Sequence, residues 1–229
     1  MFNRLTTSIA LACVCTGAHA QNLMSNGSFE TPGPGFVLFQ DWQNFGNVFA
    51  DIGGVEVPAQ EGMASCKMFG SSIGTQSDQV LLQTVPGINA GELYTLSGFV
   101  WENSADPLGD ENIIILQMNF QDAGGTTLET VEVNMFDPMS DPSDEWIPGS
   151  VSGIAPAGTS QILVAVLHIQ LGADQGFPTQ GGGASFWDNI QLVAGDAPCN
   201  NPADFDGNGE LDFFDISAFL NAFAEGCPE

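Results

Sequence analysis

The stretch Ala184–Val193, "ASFWDNIQLV", decides how the chain is read. In an extended backbone successive side chains point to opposite faces. Phe186, Ile190 and Leu192 then fall on one face, and Trp187, Asn189 and Gln191 on the other. That is the period of a half-buried strand, and Thr127–Asn134, "TLETVEVN", alternates as clearly. The same theme recurs in "QVLLQTV" (79–85), "ELYTLSGFVW" (92–101), "NIIILQMNF" (112–120) and "QILVAVLHIQL" (161–171). Gly, Pro, Asn and Asp bound each run, and none has a helical period, so the expected fold is all-β, a jelly-roll β-sandwich. A span of about 170 residues is enough to bury a core between two sheets. The phase of the opening stretch turns Trp187 away from the core that Phe186 and Ile190 fill.

The charge balance limits the partners. Residues 1–20, "MFNRLTTSIALACVCTGAHA", place Arg4 before an apolar run and end in Ala18-His19-Ala20, the pattern of a cleaved secretory leader. The expected location is therefore secreted, extracellular or cell-surface associated. No later run reaches the ~18 apolar residues of a membrane span. With the leader gone, Lys67 is the one base against 28 Asp and Glu. Such a surface repels nucleic acid and anionic membrane. It attracts hard cations, above all Ca²⁺, which prefers oxygen ligands.

After the leader three cysteines remain. Cys199 and Cys227 bracket an acidic tail, and export favours a disulfide between them. Cys66, in the alternating "MASCKMFG", reads as a buried structural thiol. Signs of catalysis are missing. There is no G-x-S-x-G, no H-E-x-x-H and no E-x-D-x-x-E, and His168 lies inside an apolar run as a packed histidine would. A non-catalytic protein is expected. A glycoside hydrolase remains the enzymatic alternative, since two carboxylates ~5–10 Å apart would suffice.

The pattern changes at residues 196–229. Phe213, Ile216, Phe219, Leu220 and Phe223 recur at helical spacing, with Asp212 as a cap and Gly226 as a stop. Before this helix, Asp204, Asp206, Asn208, Gly209, Glu210, Asp212 and Asp215 occupy positions 1, 3, 5, 6, 7, 9 and 12 of a calcium-loop spacing. Oxygens from alternate positions converge on one ion, Gly209 permits the turn, and Glu210 offers its backbone carbonyl. The tail is thus an EF-hand-like loop-helix appendage, too small to be stable without a metal or disulfide staple. "ADFDGNGELDFFDISAFLNAF" resembles one repeat of a dockerin, and the terminal "GC" resembles GC-type dockerin tails. The resemblance implies side-chain ligation by Asp204, Asp206, Asn208, Asp212 and Asp215, and attachment to a cohesin-like or cell-surface receptor. A dockerin has two such repeats; here there is one, with Phe213 and Phe214 at the partner-facing positions.

Residues 21–195 carry a second resemblance. "NLMSNGSFETPG" followed by Trp42, then "GMASCKMFG", "QVLLQTVPGINAGELYTLSGFVW", "EWIPGSVSGIAPAGTSQILVAVLHI" and "ASFWDNIQLV" resemble, in that order, family 4 and 9 carbohydrate-binding modules. The resemblance implies a structural calcium held with the help of Glu30 and Asp188. It also implies a polysaccharide or other glycan as ligand, bound on aromatic rings. Trp101, Trp187 and Tyr94 are the ring candidates; Trp42 and Trp146 sit in stretches that in the family pack the core. Asn103 and Gln117 are placed to assist. The functional expectation is a secreted, calcium-stabilised carbohydrate-binding protein with a tail for attachment. The alternative is a structural or adhesive extracellular protein whose sandwich contacts other proteins.

Overall fold

A computed structural model describes residues 21–35, 37–178, 181–195, 216–217 and 219–220. The leader at 1–20, the calcium loop from Asp204 to Asp215 and the Cys199–Cys227 pair lie outside the described residues. Of the tail, Ile216, Ser217, Phe219 and Leu220 are helical, within the helix expected there.

The body has ten strands: β1 Gln43–Phe45, β2 Val48–Ile52, β3 Ala64–Phe69, β4 Ser77–Pro86, β5 Leu93–Glu102, β6 Asn112–Gln121, β7 Thr127–Asn134, β8 Ile147–Ile154, β9 Gln161–Gln170 and β10 Ala184–Gly195. They form two five-stranded sheets, β1-β4-β9-β6-β7 and β2-β3-β10-β5-β8. Every pairing is antiparallel. The protein is an all-β, two-sheet antiparallel sandwich.

Each sheet turns alternate side chains inward. The first contributes Leu81, Ile114, Leu116, Met118, Phe120, Ile162, Val164 and Val166; the second contributes Cys66, Met68, Tyr94, Leu96, Val100, Trp187, Ile190 and Leu192. Trp42 joins this core, and its indole N–H donates to the Asn26 carbonyl at 3.0 Å. Cys66 is fully buried, and burial together with the Asp188 charge pushes its thiol far up, so it stays protonated and unreactive.

Trp187 corrects the reading of the opening stretch, because it is 0% exposed and lies in the core. The physical reason is a bulge. β10 pairs with β5 through Trp187↔Val100 and Asp188↔Phe99, and the register then shifts before Gln191↔Ser97 and Leu192↔Leu96. Asn189 takes up the extra residue in a left-handed conformation, φ 51°, which Asn tolerates better than most residues. The inward set is therefore Ser185 and Trp187 before the bulge, and Ile190 and Leu192 after it. Phe186 points outward, under Val57, with Ala184. Beyond the bulge β10 takes a new neighbour: Leu23 donates to the Leu192 carbonyl at 2.7 Å, and Ile190 donates to Gly27 at 2.8 Å.

A buried polar chain ties the sheets together. His168 Nε2 meets Asn112 Oδ1 at 3.0 Å, and its Nδ1 meets Ser185 Oγ at 3.0 Å. The Trp187 indole N–H also donates to Ser185 Oγ at 3.0 Å. An amide oxygen can only accept, so the ring carries its proton on Nε2 and the serine hydroxyl donates to Nδ1. His168 is thus neutral, and burial depresses its pKa to about 4.

Candidate functional site

The three rings expected to carry a ligand lie in different places. Tyr94 is 1% exposed, with its ring edge-on to Phe120 in the core and its hydroxyl held by Glu92 and the Asn89 amide. With Trp187 also in the core, neither ring offers a face to a sugar. Trp101 is half-buried on the outer face of the second sheet. Trp146 packs edge-on against it at 5.6 Å, and both cover Phe186 and Val57. The Trp101 indole nitrogen is buried without a hydrogen-bond partner. Asn103 caps its own loop, accepting from Ala105 N at 2.9 Å.

Gln117 leads elsewhere. Its strand reads Asn112, Ile114, Leu116, Met118 and Phe120 on the inside, so Ile113, Ile115, Gln117, Asn119 and Gln121 face out. The pairings place these beside Ile169, Leu167, Ala165, Leu163 and Gln161 of β9, and beside Asn134, Glu132 and Thr130 of β7. On the far side of β9 stand Asp78, Val80, Leu82 and Thr84 of β4, with Phe45 and Gln43 of β1 beyond. No other described element packs over this outer face.

The face divides by polarity. One corner is an amide ladder. Gln117 Nε2 donates to Glu132 Oε2 at 2.7 Å, Asn119 Nδ2 to Gln117 Oε1 at 2.9 Å, and Thr130 Oγ1 to Asn119 Oδ1 at 2.8 Å. Gln161 Nε2 continues it to Gln121 Oε1 at 3.0 Å. The other corner is an aliphatic floor of Ile113, Ile115, Val80, Leu82, Leu163, Leu167 and Ile169, edged by Phe45 at 55% exposure. Fixed amides offer donors and acceptors to hydroxyl groups, and the floor offers a dry surface. The ladder was partly readable, since "NIIILQMNFQ" sets polar residues in phase with Gln117. What the period could not give is the partners on β7 and β9.

Glu30 and Asp188, the pair expected to hold calcium, are brought together at one loop. Glu30 Oε1 accepts from Met63 N at 2.8 Å and Ala64 N at 2.7 Å. Asp188 Oδ2 accepts from Gln60 N at 2.9 Å and Glu61 N at 3.0 Å. Asp188 is 0% exposed, and burial, with a smaller push from the Glu30 charge, raises its pKa to about 6. The only described base, Lys67, is engaged with Glu56 and lies between the Phe69 and Phe186 rings. A buried carboxylate beside a second one, with no base to pair it, fits a hard cation. Among the described residues no third carboxylate, histidine or thiol joins them. Backbone carbonyls, amide side chains and water would have to complete the shell.

No family model and no curated protein matches the chain. Among solved structures it is similar to the Stig cyclase Fisc from Fischerella sp. TAU, in complex with an indole compound. That likeness has TM-score 0.52 and 16% identity, covering 78% of this chain and 98% of that one. It is also similar to the enzymatically active domain of tailspike protein 4 of bacteriophage CBA120, with TM-score 0.51 and 15% identity. There it covers 76% of this chain and only 21% of the phage protein's. A third is TmCBM61 in complex with β-1,4-galactotriose, with TM-score 0.48 and 16% identity over 77% of this chain and 100% of that one. At these identities the likeness concerns the fold alone. The cyclase, the tailspike activity and the bound galactotriose belong to those proteins.

Proposed function

We propose that the chain is a secreted, non-catalytic glycan-binding protein whose jelly-roll sandwich holds a neutral polysaccharide on the outer face of β1-β4-β9-β6-β7. The amide ladder of Gln117, Asn119, Gln121 and Gln161, which reaches solvent through the half-buried Gln117 and Gln161 beside an apolar floor, carries this reading. Sugars present hydroxyls at their rims and C–H groups on their faces, and the two halves of this surface suit the two. The face has no base, so an acidic polymer would meet only repulsion from Asp78 and Glu132. Those two carboxylates stand three strands apart, or at least ~14 Å at ~4.8 Å per strand, beyond the spacing of a glycosidase pair.

In this proposal calcium at Glu30 and Asp188 stiffens the body. The loop Asp204, Asp206, Asn208, Glu210, Asp212 and Asp215 takes a second ion, and the tail attaches to a cohesin-like or other surface receptor. Calorimetry with Ca²⁺ should show one site lost in Asp204→Ala; unchanged stoichiometry would refute the loop.

The binding face is tested by retention on immobilised neutral polysaccharides. Gln117→Ala is expected to weaken retention about tenfold, the worth of one or two hydrogen bonds, with unchanged melting temperature. No retention of the parent on any polysaccharide would reject the proposal. It would favour the second reading, a structural or adhesive protein, for which the aliphatic floor is the specific observation.

A further inference from the structure

The two sheets end in four edge strands, β1 and β7 on the first and β2 and β8 on the second. An edge strand presents unpaired N–H and C=O groups and invites another strand unless something guards it. Three of these edges are guarded. β1 has only three residues, β7 carries Glu129 and Glu132, and β8 is interrupted by Pro148, Gly149 and Gly153. β2 has five residues with no lysine, proline or glycine. Its one charge, Asp51, is turned to the N–H groups of Glu56 and Val57.

The phase of the ladder shows which backbone groups of β2 stand free. Phe69 N–H donates to the Asn47 carbonyl at 3.4 Å, and Gly53 N–H donates to Met63 at 2.6 Å. Residues 47, 49, 51 and 53 therefore turn their backbone toward β3, and the alternate residues turn theirs away. Among the described residues nothing bonds the N–H and C=O groups of Ala50 and Ile52. Beside this edge lies an apolar crevice of about 310 Å³. Ala50, Ile52 and Met63 line it on the sheet side, and Pro32, Leu38 and Phe39 of the preceding loop line it opposite. Ile52 and Met63 are 63% and 64% exposed, so the crevice opens to solvent.

An added strand would use both features. A residue opposite Ala50 exchanges backbone hydrogen bonds with it and turns its side chain to the same face, into the crevice. Charge selects the partner. The chain carries 28 acids against two bases, and Glu30 lines the crevice as well. A second copy is therefore repelled, and a basic segment is attracted. We propose that β2 is a docking edge for an extended basic segment of another protein, which adds to the second sheet as a further strand and seats an apolar side chain in the crevice. The glycan face lies on the other sheet, so neither reading depends on the other.

The test is fluorescence anisotropy of a labelled peptide of alternating lysine and leucine, titrated with the full chain. Binding is expected. In an antiparallel pair the leucine opposite Ala50 is the residue whose N–H faces β2. N-methylation of the leucines should therefore abolish binding, and N-methylation of the lysines should preserve it. Ala50→Pro removes one free N–H without touching the ladder to β3, and should weaken binding about tenfold, the worth of one hydrogen bond. Should that variant fail to fold, the two methylated peptides decide on the parent alone. No binding of the unmethylated peptide, or an equal effect of methylation in the two phases, overturns the proposal. A parent that sediments as a dimer, and that Ala50→Pro turns into a monomer, would give the edge to a second copy and overturn it as well.

Discussion

His168 and Asp188 are buried groups whose environment moves their titration within the acid range, and they act on stability in opposite directions. His168 has a folded pKa of about 4 against 6.5 in the unfolded chain. The unfolded state takes up the proton first, so stability is fully present above pH 6.5 and lost as pH falls toward 4. The loss approaches about 3 kcal/mol. Urea unfolding between pH 7 and 4 should show it, and His168→Gln should flatten that part of the profile. Asp188 has a folded pKa of about 6 against 3.8. Its contribution is present below pH 3.8 and lost as pH rises through 6, because the ionised carboxylate is the disfavoured buried form. A bound cation would reverse this by stabilising the charge. In an Asp204→Ala background with chelator at pH 7.5, Asp188→Asn should stay within about 1 kcal/mol of its parent, because relief of the buried charge offsets the amide N–H that must face one of the backbone donors of Gln60, Glu61 and Asn189. With millimolar Ca²⁺ the parent should gain melting temperature and Asp188→Asn should not. A parent whose melting ignores Ca²⁺ would remove the ion from this site.

The bulge of β10 shows how a single residue sets an element. Asn189, in its left-handed conformation, moves the inward phase from Trp187 to Ile190 and Leu192. Asn189→Gly should be tolerated within about 1 kcal/mol, since Gly adopts that conformation freely. Deleting Asn189 should keep unfolding cooperative, because without the extra residue Trp187, Ile190 and Leu192 fall at regular period two and stay inward, the cost being the hydrogen bonds Asn189 makes with Gln60 and Gln191. Equilibrium unfolding followed by tryptophan fluorescence measures both. The strands themselves were legible, because alternation in 127–134 and the apolar runs at 79–85, 92–101, 112–120 and 161–171 reflect one buried face each. The bulge was not. "FWDNIQL" keeps a plausible alternation whichever face is inward, so period two alone puts Trp187 on the wrong side. Nor can a period of two say which strands become neighbours. Gln117 could be named, while its partners Glu132, Asn119 and Thr130 emerge only from the pairing of β6 with β7.

At the scale of the molecule the two outer faces differ in how they are covered. On β2-β3-β10-β5-β8 the rings of Trp101, Trp146 and Phe186 seal a small satellite core under the 53–62 loop. Trp101→Ala should therefore cost about 2–3 kcal/mol in stability, less than a fully buried tryptophan, and leave glycan retention unchanged. On β1-β4-β9-β6-β7 the ladder and floor are free of such cover among the described residues, and variants there should do the reverse. The most direct measurement is a side-chain amide NMR spectrum of the full chain titrated with oligosaccharides cut from a retained neutral polysaccharide. The proposed site predicts shifts of the Gln117 and Asn119 carboxamide signals and a stationary Trp101 indole signal. A moving indole with the Gln117 and Asn119 signals unmoved would place the ligand on the opposite sheet and contradict it.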